Sequence, residues 1–258
     1  VSFINNTVTM AGGAMQLKHM LNCLLVNSIF IGNKAESGAG IHGKYVTVVN
    51  IYRVKFINNS VSAIGGGTRL EDISYCFVAH STFIRNIIGN DKTATKGGAL
   101  NNINCEQFYC LNSVFTSNAI RAIHIIQGLT VLIKNCTFKY NTAVKGGGVL
   151  VDTCKVLTIV SSQYLYNSAD SGGSIYSNKV VKQILLKNSF YDNYALSGGS
   201  IYAVSSDFSI IVLSYFKRNS ANFKGGCIFF ETMSSETKMI VNNAYFLDNK
   251  ANGQGVAI

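Results

Sequence analysis

The 258-residue chain contains no proline and no tryptophan. Because proline cannot donate to a sheet ladder and is common in linkers, its absence favours one continuous, strand-rich structure. No apolar run approaches the roughly 20 residues that a membrane-spanning helix needs, and the longest, such as 208–213, are strand-sized. We therefore expect one domain over residues 1–258, with no membrane span in it.

The chain also lacks an initiator methionine and a signal-peptide layout at its first residues. Both ends of the sequence lie inside copies of an internal repeat. We therefore expect a segment of a longer chain, uncapped at both ends.

Acidic residues are scarce, since 12 Asp and Glu stand against 22 Lys and Arg, for a formal net charge of +10. The basic residues are scattered and no RNA-binding aromatic motif accompanies them, so we expect no nucleic-acid partner. Scattered positive charge is typical of a solubilising surface, and attraction to an acidic polysaccharide or an anionic surface is the open alternative.

The most informative feature of the sequence is an internal repeat. An aromatic residue followed three positions later by Asn occurs ten times, most often at intervals of 26 or 27 residues, and Gly follows in most copies. The ten pairs are Phe3/Asn6, Phe30/Asn33, Phe56/Asn59, Phe83/Asn86, Phe115/Asn118, Phe138/Asn141, Tyr164/Asn167, Phe190/Asn193, Phe216/Asn219 and Phe246/Asn249.

The repeat length and its β-prone runs together indicate the fold. Runs such as 129–138 and 180–190 are rich in Val, Ile and Leu. Three short strands with turns fit a unit of about 26 residues, whereas helical repeats need about 33 or more and propeller blades about 40. We predict an all-β fold, a single-stranded parallel β-helix (solenoid) of about ten coils of about 26 residues.

In such a solenoid, equivalent residues lie above one another, so each repeated position predicts a column. We expect the ten aromatic rings to stack inside and the ten Asn residues to form an amide ladder at a bend. The Gly pairs suit another corner that requires positive φ. Tyr176, Tyr202 and Phe229 are expected to stack on an outer face.

A second polar position precedes the aromatic residue by three, as at Asn27, Asn112, Asn135 and Asn243. The full motif is N-[SC]-x-F-x-x-N-x-A-x-x-G-G-[AS]-I. Its F-x-x-N and G-G-A-[ILV] parts resemble the repeat of chlamydial polymorphic outer membrane proteins and related right-handed β-helix surface proteins, over nearly the whole chain. This resemblance implies right-handed winding, secretion or surface display, and often adhesion.

Candidate chemistry is sparse, and we expect no catalytic, cofactor-binding or metal-ligating residue. Asp192 and Asp248 share a coil position around the level of Arg218, but they are two coils apart, and Glu71-Asp72 is the nearest acidic cluster. The four His residues are expected at different coil positions, and no phosphate-binding loop is present. The sequence thus predicts a protein that is not an enzyme and uses no cofactor.

Three irregular segments are the expected partner contacts, since a solenoid carries its insertions on loops. They are the long loops 87–96 and 231–238 and the short coil 119–126, in which "AIRAIHII" replaces the Gly pair.

Two covalent modifications are also expected. Cys105 and Cys110 flank one apparent turn and form a candidate disulfide, with buried free thiols as the alternative. Asn5 and Asn58 stand in N-x-[ST] sequons beside a column Asn and are candidate glycan sites, whereas the sequon at Asn135 is expected to be buried.

These observations favour a non-catalytic structural or adhesive β-helix, extracellular or on a cell surface, whose partners are other copies or a host or matrix surface. The alternative is a polysaccharide-binding or polysaccharide-cleaving, pectate-lyase-like β-helix. End-to-end assembly into a filament is a third hypothesis, because solenoid ends are open sheet edges.

Overall fold

A computed structural model describes residues 1–89, 98–232 and 237–258. The described residues are all-β, and they form a parallel β-solenoid of about nine turns with a spacing of about 26 residues. The predicted all-β parallel solenoid is therefore confirmed.

The largest sheet, here called the long sheet, has 11 strands, nine of them on its main path, and its strands pair in parallel from one coil to the next. Most of its members are 12-residue strands that bend once, and the last coils divide each into two shorter strands. The strands are Met15–Val26, Ile41–Tyr52, Thr68–Ala79, Leu100–Leu111, Ile123–Lys134, Val149–Val160, Ile175–Leu186, Ile201–Val204, Phe208–Val212, Ile228–Glu231 and Lys238–Asn242.

A second sheet, here called the aromatic sheet, contains ten short parallel strands. Each strand is centred on the aromatic residue of one repeat. They are Ser2–Ile4, Ile29–Ile31, Lys55–Ile57, Thr82–Ile84, Val114–Thr116, Thr137–Lys139, Gln163–Leu165, Ser189–Tyr191, Tyr215–Lys217 and Tyr245–Leu247.

Short strands close most coils on the remaining side, in two small parallel sheets, and isolated bridges at Thr7, Ala119 and Thr142 serve the other coils. One consists of Lys34–Ser37, Ser60–Ile64 and Ile87–Ile88, and the other of Ser168–Ser171, Tyr194–Ser197, Ser220–Lys224 and Lys250–Ala251.

The aromatic rings lie in one continuous interior stack. Neighbouring ring centroids from Phe3 to Phe246 are 4.6 to 5.1 Å apart, and the rings are within 13° of parallel. This spacing equals the distance between strands, so the backbone ladder and the ring stack reinforce each other.

The asparagines form an unbroken ladder from Asn6 to Asn249. Within it, Asn33 Nδ2 donates to Asn59 Oδ1 at 2.9 Å and to the Phe3 carbonyl at 3.1 Å. The Asn33 backbone N–H donates to the same Asn59 oxygen at 3.0 Å. Each amide thus satisfies buried backbone groups as well as its neighbour.

The ladder also passes through the irregular middle coils, where the spacing of the repeat changes. Asn86 Nδ2 donates to Asn118 Oδ1 at 3.2 Å across an interval of 32 residues. Asn118 Nδ2 donates to Asn141 Oδ1 at 3.0 Å across only 23 residues. Asn86, Asn118 and Asn141 are at most 1% exposed. The extra and missing residues are therefore accommodated elsewhere in these coils. The corner that holds the ladder Asn residues, here called the asparagine corner, keeps its geometry.

Four corners turn each regular coil, and each places a residue at positive φ. One of them, the glycine corner, is occupied by Gly in most coils, as at Gly172 with φ +62. The other three accept side chains; the asparagine corner, for example, carries Asp192 and Arg218 directly before a ladder Asn. Glycine therefore recurs at one corner and is occasional at the others, as at Gly32 before the ladder residue Asn33.

The corner geometry corrects the prediction for Asn135. This residue is exposed, at φ +53, and its Nδ2 donates to Asn112 Oδ1 at 3.2 Å. The buried position is the next one, where the Cys136 backbone N–H donates to Ser162 Oγ at 3.2 Å. A residue at positive φ interrupts the alternation of inward and outward side chains. The inward position of this corner is therefore 136 and not 135.

The predicted Cys105–Cys110 disulfide is also wrong. Both residues lie in the strand Leu100–Leu111, and both thiols are free and buried. Five positions along a strand separate them by about 16 Å, which is too far for a disulfide. The sulfur beside Cys110 Sγ is Cys136 Sγ, at 3.7 Å.

Beyond their bend, the long strands present three outward columns, and the two nearest the next corner are mainly apolar and are here called the apolar stripe. The stripe consists of Leu24, Asn50, Phe77, Tyr109, Leu132, Thr158, Ile184, Ile210 and Ile240, with Val26, Tyr52, Ala79, Leu111, Lys134, Val160, Leu186, Val212 and Asn242.

Candidate functional site on the polar–aromatic face

The first part of the long strands, between the glycine corner and the bend, presents two other outward columns, here called the polar–aromatic face. One column is His42, Arg69, Asn101, His124, Leu150, Tyr176, Tyr202 and Phe229. The second is Lys44, Glu71, Ile103, Ile126, Asp152, Asn178, Val204 and Glu231. These positions vary from coil to coil, in contrast to the interior columns.

This arrangement corrects a third prediction, that the four His residues occupy different coil positions. His42 and His124 lie in one column, three coils apart, because His42 pairs with Arg69, Arg69 with Asn101, and Asn101 with His124. The shared position was missed because the coil before His124 has no Gly pair from which to align it.

A compact ionic cluster occupies the early coils of this face. The Glu71 carboxylate contacts Arg69, lies 3.3 Å from His42 Nε2 and 3.6 Å from Lys44 Nζ, and is itself mostly buried. Burial lowers the pKa of His42, although the hydrogen bond to Glu71 opposes the shift. Because its carboxylate is already shared by three basic side chains, Glu71 suits an ionic link between coils better than proton transfer.

The centre of the face contains a cavity of about 300 Å³ beside the irregular coil 119–126. Its polar lining includes Arg121, His124, Lys145 and Asp152. A volume of this size is at the lower end for small-ligand pockets and suits a single ring or a charged group of a larger ligand.

Arg121 reaches this position because the coil takes a different path where the Gly pair is missing. Ile120 and Arg121 both have positive φ, at 59° and 71°. The Arg121 side chain is only 2% exposed, and its Nε donates to the Lys145 carbonyl at 3.2 Å. Burial lowers the pKa of Arg121 to about 10, so the guanidinium is still charged at neutral pH.

An aromatic ladder continues the face beyond the cavity. The ring centroids of Tyr176 and Tyr202 are 5.3 Å apart, and those of Tyr202 and Phe229 are 5.0 Å apart. Lys145 and Lys224 lie over the two end rings, at 4.8 and 5.7 Å from the centroids of Tyr176 and Phe229. Aromatic rings bordered by cations and amides are typical of surfaces that bind flat, hydroxylated or anionic groups.

Polar groups along the ladder add hydrogen-bonding capacity. The Tyr202 hydroxyl donates to Glu231 Oε2 at 2.8 Å, and burial together with this carboxylate raises the pKa of Tyr202 to about 12. Asn178 Nδ2 donates to Asp152 Oδ1 at 2.8 Å. Asp152 and Glu231 are three coils, or about 14 Å, apart, which exceeds the separation of paired catalytic carboxylates.

The acidic pair at the asparagine corner is arranged differently. Arg218 forms a two-pronged ion pair with Asp192, at 2.7 and 2.8 Å, which lowers the pKa of that carboxyl. Asp248 lies one coil beyond Arg218 in the same column. Arg218, Asp248, Ser220 and Lys250 line a shallow depression between the two coils. Exposed ion pairs of this kind link adjacent coils and contribute little to stability.

The repeated residues of the sequence motif contribute nothing to this face. From Phe30 to Asn219, the column rings and column amides are buried inside the rod. Asn86, Asn118 and Asn141, which lie in the coils nearest the cavity, are no exception, because their amides bond within the ladder. These column residues are therefore structural and not ligand-binding, and the candidate site is built from residues outside the motif.

The other predicted site residues are placed as follows. Asn5 and Asn58 are exposed at positive φ. Of the irregular segments, residues 90–96 and 233–236 lie outside the described residues, whereas 119–126 borders the cavity.

Within 1–89, 98–232 and 237–258, no group of three or more His, Cys, Asp or Glu residues could hold a metal ion. The same ranges contain no helix that is long and apolar enough to cross a membrane.

Comparison with protein families, curated proteins and solved structures finds no match to this chain. The assignment of a role therefore depends on the geometry described above.

Proposed function

We propose that the chain is a non-catalytic structural and adhesive β-solenoid, displayed outside the cell or on its surface. The supporting observation is that the repeated aromatic and Asn residues are buried inside the rod, in the ring stack and the amide ladder, while the outward positions vary. A stiff core with a variable surface suits a scaffold that holds a binding face away from its attachment point.

The resemblance of the repeat to that of polymorphic outer membrane proteins supports the same role and suggests right-handed winding. The exposed sequons at Asn5 and Asn58 suit glycosylation if the source modifies secreted proteins. We place the adhesive contacts on the polar–aromatic face, whose partner is a protein of a host or matrix surface.

Surface display is tested by labelling intact cells that produce the protein with a membrane-impermeant amine-reactive biotin. The chain has 22 Lys and Arg residues, and exposed Lys side chains such as Lys187 should react. Labelling in intact cells is the expected result, with a cytoplasmic protein as the unlabelled control. Labelling that requires cell lysis would contradict the proposal.

Binding of a polysaccharide, with or without its cleavage, is the second candidate function, and the aromatic ladder favours it. Sugar rings present apolar faces to aromatic side chains, and Lys145 and Lys224 would attract their acidic substituents. The separated carboxylates Asp152 and Glu231 favour binding over hydrolysis.

One experiment separates the two candidates. Immobilised matrix proteins, polygalacturonate, heparin and dextran are tested for binding to the chain and to Tyr202→Ala. The matched control is Tyr140→Ala, since Tyr140 stacks on Tyr166 at 5.2 Å outside this face. Protein binding that only Tyr202→Ala weakens supports adhesion. Polysaccharide binding supports the alternative, and release of new sugar ends would show catalysis.

A further inference from the structure

Two buried cysteines of neighbouring coils have their sulfur atoms in van der Waals contact. Cys110 Sγ and Cys136 Sγ are 3.7 Å apart, and the Cys136 thiol also lies 3.4 Å from the Cys110 carbonyl oxygen. Both residues are at most 1% exposed. Because the sulfur atoms of a disulfide are about 2.05 Å apart, each thiol needs to move by only about 1 Å for the bond to form.

The corner geometry directs the Cys136 side chain toward the preceding coil. Ser113 occupies the same corner position one coil earlier, and its Oγ accepts a hydrogen bond at 3.1 Å from the Ser81 backbone N–H of the coil before it. The Cys136 sulfur points the same way and meets Cys110, whose strand neighbour in the next coil is Ile133. The contact between the two thiols is therefore fixed by the register of the sheet.

Within the described part of the chain, the column of each cysteine contains no second cysteine. The column of Cys110 is otherwise aliphatic, with Leu25, Ile51, Val78, Ile133, Ile159, Leu185, Ile211 and Val241. The column of Cys136 is mostly serine, with Ser28, Val54, Ser81, Ser113, Ser162, Asn188 and Ser214. The two replacements thus occur in adjacent coils, where their side chains meet, which favours a pair over two unrelated apolar side chains.

We propose that Cys110 and Cys136 form a disulfide when the chain folds in the presence of an oxidant. The bond would close a loop of about 26 residues, which is one coil of the rod. This loop contains Ile120 and Arg121, which replace the glycine corner beside the cavity. The disulfide would therefore fasten the most irregular described coil to the next one. The inference does not depend on the adhesive role or on surface display, because the test supplies the oxidant.

The reaction is a thiol–disulfide exchange with a small disulfide such as glutathione disulfide. One cysteine thiolate attacks a sulfur of the oxidant, whose S–S bond breaks, and one glutathione thiolate leaves. The second cysteine thiolate attacks the mixed disulfide and displaces the other glutathione. The two protons of the cysteines pass to the two glutathione thiolates, so one disulfide is exchanged for another. Because both thiols are buried in the folded rod, the exchange must take place before the coils close.

The test refolds the purified full chain with glutathione disulfide or with a reductant, and then alkylates free thiols under denaturing conditions. Trypsin and a glutamate-specific protease cleave after Glu106, Arg121 and Lys134, which separates Cys110 from Cys136 and from the other cysteine of its strand. After oxidative refolding, mass spectrometry should show these two peptides linked and the other five of the seven Cys residues alkylated. Seven alkylated thiols, or a link between other cysteines only, would overturn the proposal.

Thermal unfolding then measures what the bond does for the rod. The oxidised chain should have a Tm about 5–10 °C above that of the reduced chain, since a closed loop has less entropy to gain on unfolding. Cys136→Ser, which installs the usual residue of its column, should abolish this difference, and Cys110→Val replaces it if it does not fold. The matched control is Cys227→Ser, because Cys227 is also buried and follows Ser200 in its column. This control should keep the difference. A Tm that oxidation does not change, or a difference that persists without Cys136, would refute the assignment.

Discussion

The asparagine corner and the glycine corner solve the same problem in opposite ways. At the asparagine corner, side chains hold the turn, since each ladder amide bonds to backbone groups and to the amide of the next coil. At the glycine corner, the absence of a side chain permits the turn. A Cβ built on Gly172 would lie only 2.1 Å from the Ile175 carbonyl oxygen.

This difference decides where the rod can vary. The Asn ladder is complete in all ten repeats, because loss of one amide leaves partners unsatisfied in two neighbouring coils. Within the described residues, the glycine corner is replaced once, by Ile120 and Arg121, and the chain there takes another path. The cavity of the polar–aromatic face lies at this replacement. The corner that depends on the absence of a side chain is thus the one at which the sequence has changed and a surface cavity has formed.

The largest expected effect is on the stack behind the asparagine corner. Phe190→Ala should lower the free energy of unfolding by about 3–5 kcal/mol, because it leaves a cavity between Tyr164 and Phe216, which lie 4.8 and 4.6 Å away. The measurement is denaturant unfolding. Lys187→Ala, at an exposed corner, should change little, and similar losses in both variants would refute the role assigned to the stack.

The ladder itself should show the next largest effect. Asn167→Ala should cost about 2–3 kcal/mol, since Asn193 Oδ1 and the Phe138 carbonyl each lose a buried donor. The control is Asn22→Ala, which removes an exposed amide at a strand position without positive φ and should cost less than about 0.5 kcal/mol. Thermal unfolding of both variants compares them, and a large loss in the control would contradict the ladder's special role.

At the glycine corner, even an added methyl group should lower the free energy of unfolding. Gly172→Ala should cost about 2 kcal/mol, because a methyl group at positive φ meets the Ile175 carbonyl. Ser161→Ala is the matched control, since Ser161 has φ +50 at a corner that accepts side chains. Chemical denaturation should leave the control near the wild type. Equal tolerance at both corners would remove the distinction between them.

The smallest effect concerns the ionic cluster. Because the folded state lowers the pKa of His42, the unfolded chain binds the proton first as the pH falls below about 6.5. The free energy of unfolding should therefore decrease as the pH falls from about 6.5 to the lower folded pKa, and it should level off below that pKa. His42→Gln should flatten this part of the stability curve. An unchanged slope in the variant would place the pH dependence elsewhere.

The fold was predictable from the repeat because each residue of a solenoid packs on its own equivalent. One motif, seen ten times, specifies the columns of Phe and Asn without knowledge of any distant contact. The exposed Asn135 was mispredicted since a corner residue at positive φ shifts the alternation. Cys105 and Cys110 were mispredicted since residues 106–109, interpreted as a turn, belong to the strand Leu100–Leu111.

The candidate site was less accessible to sequence reasoning. The replaced Gly pair at 119–126 drew attention to the correct coil, but the burial of Arg121 depends on how the backbone is redirected there. Lys145 and Tyr176 come from the following coils, and only the register of the sheet brings Tyr176 into the column of His124. The residues of this face differ from coil to coil, so no sequence repeat indicates that they lie in one column.

The amide ladder also gives the rod a direction. One Nδ2–H of every ladder residue from Asn6 to Asn219 donates to the next coil, and each Oδ1 from Asn33 to Asn249 accepts from the previous one. The small dipoles therefore add along the axis, as peptide dipoles do in a helix. Such a rod has a donor pole and an acceptor pole. Another rod could extend it only head to tail, and growth from the two poles need not proceed at the same rate.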